Sequence, residues 1–107
     1  MKTYSGKRMP NVPLGIEVLV HQDGRKYPLH HYVRHSPTGM EWGYEGQGPA
    51  DLAYSILMDF FGRNRDIAEA YHQDFKRRFV SRMSDWWELG EQEIKVWFIE
   101  AKLKKES

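Results

Sequence analysis

Three groups of side chains have the types and spacing to do chemistry. The first is Gly43-Tyr44-Glu45-Gly46-Gln47-Gly48-Pro49, a glycine-studded loop that runs into an amphipathic pattern. A helix start offers free N–H groups and the positive end of the helix dipole, and glycines let a phosphate approach the backbone. With Trp42 and Tyr44 as stacking surfaces, the expected site for an anionic or nucleotide-like ligand is Trp42, Gly43, Tyr44, Gly46, Gly48 and Ala50. Glu45 and Asp51 put negative charge beside it, and there is no P-loop Lys-Ser/Thr and no G-x-G-x-x-G between strand and helix. The competing reading is structural: the glycines supply turns and let both aromatic rings pack under the helix.

The second group is His21, His30, His31 and His35. His31 and His35 have the i,i+4 spacing that binds a metal on a helix, but Pro28 and Pro37 bracket them in a β-leaning segment. No metal site and no cofactor are expected, and His35 is expected to order its loop through hydrogen bonds. The third group is Lys76, Arg77, Arg78 and Arg82, a basic helix face able to meet phosphates with help from Lys7, Arg8, Arg25 and Lys26. A solvated face with pairs such as Asp74–Arg78 explains the same residues. No spacing sets a nucleophile beside a base, so an enzyme is not expected. Trp86, Trp87 and Trp97 read as core, with one of the adjacent pair free to anchor a partner.

These groups need elements to hold them. Lys2 to Arg8 reads as a strand or arm anchored by Tyr4, and residues 9–14, with Pro10 and Pro13, as a loop. Ile16 to Val20 reads as a strand, Asp23-Gly24 as a hairpin turn, and Arg25 to Leu29 as an edge strand limited by Pro28. His30 to His35 reads as a third strand or an extended segment. A helix is expected from Pro49, with Gly48 as N-cap, Asp51 at the third position and Gly62 as the stop. A second follows a cap at Asn64 or Asp66, with Ile67, Tyr71, Phe75, Phe79 and Met83 recurring every four residues. A third opens at Gly90, burying Ile94, Trp97, Phe98 and Ala101. The fold class is therefore α+β: a small antiparallel sheet from N-terminal strands and a hairpin, packed against about three C-terminal helices. It is one domain over 1–107, with 1–40 mainly β, 41–48 the glycine-rich loop and 49–104 mainly α.

Composition narrows the class. The chain has 107 residues, 40% hydrophobic and 14% aromatic, which is too apolar for disorder. The absence of cysteine removes disulfides, thiolate metal sites and thiol nucleophiles. Apolar runs are too short for a membrane span, so a soluble cytoplasmic protein is expected. Net charge is +1, but residues 1–40 and 76–85 are basic while 41–75 are acidic, so a basic face can exist despite near neutrality.

Tyr4-Ser-Gly-Lys-Arg, the stretch His35-Ser-Pro-x-Gly-x-x-Trp-Gly-Tyr-x-Gly-x-Gly-Pro-Ala-x-Leu-Ala53, and the later Tyr71-x-x-x-Phe75-Lys76 and Trp87-x-Leu89 together resemble a family of small uncharacterised proteins. That family is a domain of unknown function found in phages, plasmids and prokaryotic genomes, and the resemblance runs from about residue 4 to 99. It differs in having a small serine where this chain has Gln47 and a glutamine where it has Asp51. The resemblance implies a compact stand-alone domain carried by mobile elements and brings no catalytic residues. The expected function is a small non-enzymatic binding protein of a phage, mobile element or host, recognising an anionic or nucleotide-like ligand at the glycine-rich loop. The alternatives are a protein–protein adaptor or inhibitor of a host factor, and a nucleic-acid binder using the basic face. A monomer or a homodimer fits each.

Overall fold

The computed structural model describes residues 1–11 and 15–106; the expected loop over 9–14 falls partly outside them. The described strands are β1 (Lys2–Arg8), β2 (Ile16–Gln22), β3 (Arg25–Pro28) and β4 (Trp86–Gly90). The helices are α1 (Gln47–Phe60), α2 (Arg65–Arg78) and α3 (Glu91–Glu106), with a 3-10 turn at Val80–Arg82. The strands form one antiparallel sheet in the order β3-β2-β1-β4, so the architecture is α+β. Asp23 and Gly24 both take positive φ, 53° and 80°, as a two-residue hairpin turn requires.

One sheet face is apolar, through Tyr4, Val18, Val20, Trp87 and Leu89, and the helices cover it. The other carries Lys7, Glu17, His21 and the exposed Trp86, in the half-wetted pattern of an antiparallel sheet. β4 departs from a purely N-terminal sheet. Trp86-Trp87 sits inside a strand that pairs with β1, Gly6 opposite Trp87, so the C-terminal half closes the sheet. Alternation of exposed Trp86 and Glu88 with buried Trp87 and Leu89 is the period-two signal of that strand.

α1 is the central element. Gly48 to Met58 is buried without interruption, the pattern of a helix enclosed on all sides. It starts at Gln47 after Gly46, two residues before the expected start, so Pro49 is the third helical residue and Asp51 the fifth. Pro49 still lies in the first turn, where no amide partner is needed. At the other end Gly62 (φ 62°) donates to the Asp59 carbonyl and Arg63 to the Met58 carbonyl, a Schellman termination. The Asn64 Oδ1 accepts from the Ile67 amide and caps α2.

Three polar residues interrupt the apolar surface of α1 at four-residue steps: Asp51, Ser55 and Asp59. Ser55 Oγ accepts from the Tyr32 amide at 2.9 Å, and Asp51 accepts from the amides of Arg34, His35 and Ser36. Amides that a neighbouring strand would have satisfied are met by helix side chains. That is why His30 to His35 runs extended along α1 and is not a third strand. Asp59 holds the sheet instead, through Lys2 Nζ (2.8 Å), Tyr4 OH (2.6 Å) and Tyr27 OH (2.9 Å).

Candidate functional site

The polar seam of α1 sets the geometry of one cleft. Asp51 is fully buried, and its two oxygens take four partners. The amides of His35 (2.7 Å), Ser36 (3.0 Å) and Arg34 (3.2 Å) donate to it, and His31 Nε2 lies 2.8 Å from Oδ2. Burial opposes ionisation here, but the bonds from His31 and from the Ser36, Arg34 and His35 amides outweigh it and hold the carboxyl below its ordinary value. The ionised Asp51 fixes His31 with Nε2–H toward it, which leaves Nδ1 as an acceptor in the neutral ring.

His31 and Ser36 both border a cleft of about 950 Å³. Arg8 and Ile16 at the ends of β1 and β2, the adjoining Met9, Pro10 and Gly15, and Asp85 also line it. Thr38, Gly39, Met40, Glu41, Tyr44 and Gly48 complete the lining. Arg8 is committed within the wall: it pairs with Glu41 (2.7 Å) and Asp85 (3.1 Å), donates to the Trp42 carbonyl and lies 4.6 Å from the Trp42 ring centre. The lining thus carries one cation against two carboxylates, together with apolar side chains, hydroxyls, a histidine and the start of α1.

The residues expected to hold a ligand separate. Tyr44, 50% exposed, and Gly48 line the cleft. Trp42 is fully buried: its Nε1–H donates to the Ser84 carbonyl at 2.8 Å and its ring meets Trp87 edge-on, so it supports the loop from inside and offers no stacking face. Ala50 is buried in α1. Gly43 donates to the Val80 carbonyl and takes φ 88°. A side chain at Gly46 would strike the Tyr44 ring at 2.7 Å, and one at Gly48 would meet the Glu41 Cβ at 2.9 Å. These glycines thus hold Tyr44 and Glu41 close against the helix start.

His35 is held by its own backbone bond to Asp51, and its Nε2 reaches His72 Nε2 at 3.0 Å. His72 donates Nδ1–H to the Ala68 carbonyl, so its Nε2 accepts and His35 Nε2 carries the proton. Burial, reinforced by His35, pushes the His72 imidazole below its ordinary 6.5 despite the Ala68 bond. Among the described residues no group of three or more His, Asp or Glu side chains is placed to hold a metal ion. No helix there is long and apolar enough to cross a membrane.

The basic face also divides. Lys76, almost buried, pairs with Glu45 at 3.0 Å and ties α2 to the glycine-rich loop. Arg77 pairs with Asp74, and Arg78 stacks on Phe79. Arg77, Arg78 and Arg82 border a shallow groove together with Lys104 and Lys105 of α3 and the acids Asp74 and Glu100.

Sequence reasoning missed His31 as the partner of Asp51, and His72 altogether. The available signal was Asp51 and Ser55, polar residues four apart in an otherwise apolar helix, which need partners when buried. No curated protein and no solved structure matches the chain. One family model covers residues 4–100, nearly the whole length, and its description is a family of unknown function, DUF6166. The chain belongs to that family.

Proposed function

We propose that this protein is a small non-enzymatic binding protein whose ligand, anionic or nucleotide-like, occupies the cleft between β1 and the loop from His31 to Gly48. The observation that carries this reading is the cleft itself. About 950 Å³ suits a small organic ligand, and it combines apolar walls with a few fixed polar groups. Tyr44 offers a half-exposed ring for a base, and the start of α1 at Gly48 favours an anionic group. His31 Nδ1 is the acceptor for a ligand N–H or O–H. On this reading it is a cytoplasmic protein carried by a phage, another mobile element or its host, and the resemblance of its motif supports the mobile-element part. The test is an NMR titration with mononucleotides in millimolar amounts. Shifts should concentrate at His31, Thr38, Tyr44 and Gly48 and vanish in Tyr44→Ala, which keeps the fold. Shifts scattered over the surface, or unchanged in Tyr44→Ala, contradict the proposal.

A second reading is favoured by Trp86. The residue is 64% exposed on the open face of the sheet, where an anchor for a protein partner would sit, so an adaptor or inhibitor would use that face. The third reading, nucleic-acid contact through Arg77, Arg78 and Arg82, is supported by the groove they share with α3, and it predicts binding that falls steeply with salt.

A further inference from the structure

α3 is apolar on two opposite sides. Ile94, Trp97 and Ala101 are buried against the domain, with Trp97 packed on Tyr71, Phe75 and Phe79. On the outward side Val96, Ile99 and Leu103 are 54%, 61% and 62% exposed. With the exposed Gln92 before them and Glu106 after, these positions alternate at four- and three-residue steps. That is the a/d spacing of a coiled coil, with Val96 and Leu103 at a, Ile99 at d, and polar residues at the two outer d positions.

The charges beside the seam follow the same repeat. Both e positions are acidic, Glu93 and Glu100, and both g positions are basic, Lys95 and Lys102. Antiparallel pairing of two copies would bring Lys beside Lys and Glu beside Glu. Parallel pairing sets Lys95 beside the partner's Glu100, five residues on, twice across the two-fold axis. Lys95 now pairs with Glu91 of its own helix at 3.1 Å and is half exposed, so it can turn to the partner.

We propose that α3 is a self-association surface that pairs in parallel with a second copy of this chain. The seam side chains are exposed, on the side of α3 opposite the buried Ile94, Trp97 and Ala101. The helix is already formed by packing, so association does not bear the cost of nucleating a short helix. The seam from Gln92 to Glu106 is only about 21 Å long, its apolar part about 10 Å, and the expected dissociation constant is on the order of 10–100 µM.

Sedimentation equilibrium of the full chain tests this between about 1 µM and about 1 mM, a range that brackets that affinity. Wild type should pass from monomer to dimer, and Ile99→Glu should stay monomeric with an unchanged circular dichroism melt. Glu100→Lys should weaken association at least about fivefold, and adding Lys95→Glu should restore it. Because the chain has no cysteine, Val96→Cys and Leu103→Cys report orientation cleanly: each should cross-link to itself in preference to the other. A wild type still monomeric at the highest concentration overturns the proposal. So does a dimer that survives both Ile99→Glu and Glu100→Lys, or a preferential 96–103 cross-link.

Discussion

α1 carries a carboxylate near each end, and the two are answered in different ways. At its start, Asp51 is sealed from solvent and met by three backbone amides and His31. At its end, Asp59 is met by side chains alone, Lys2, Tyr4 and Tyr27 from two strands. Side-chain partners can be lost one at a time while the strands keep their own hydrogen-bonded register. Backbone amides cannot: without Asp51, the segment from Arg34 to Ser36 has no ladder to fall back on. The Asp59 end fastens finished elements together. The Asp51 end gives shape to a segment that has no secondary structure of its own, and that segment forms a wall of the cleft.

The largest expected effect is at the sealed end. Asp51→Ala should cost about 3–5 kcal/mol in urea unfolding, because buried donors are left without an acceptor. Asp59→Ala should cost less, about 2 kcal/mol. Equal losses would erase the distinction between the two ends. Single-partner changes sharpen it. Ser55→Ala orphans the Tyr32 amide and should cost about 1–2 kcal/mol, whereas Tyr27→Phe, on an exposed edge strand, should cost under about 0.5 kcal/mol.

Acid should loosen the Asp51 side in two stages. The folded His72 is depressed below its ordinary 6.5, so the unfolded chain binds the extra proton first, and stability falls as pH drops below that value. Asp51 is held below its ordinary 3.8; its contribution is complete above that value and is lost as pH falls beneath it. Urea midpoints at pH 7.5, 6 and 5 should decline in wild type and decline less in His72→Phe. Identical declines would remove His72 as the cause.

The main elements were legible in the sequence because each rested on local signals. Asp23-Gly24 fixed the hairpin, Asn64 the second helix and Gly62 the end of the first. β4 was harder to see, since five residues beginning with two tryptophans show alternation only when their pairing with β1 is known. The start of α1 was displaced because Gly48-Pro49 imitates a cap, whereas Gly46 stands at the boundary. In the candidate site, the glycine-rich loop was visible as a motif, but the inward turn of Trp42 was not: an aromatic beside glycines has the same sequence whether it faces solvent or core. His31 and Asp51 are twenty residues apart, and only the fold of the intervening segment brings them together.

Native mass spectrometry of the protein purified gently from its own host, before and after denaturation, tests the central claim most directly. A stoichiometric small molecule that leaves on denaturation, and is depleted at least about tenfold in Tyr44→Ala, is the predicted result, a change worth about 1.4 kcal/mol of binding. A bare protein, or an adduct indifferent to Tyr44, would contradict it.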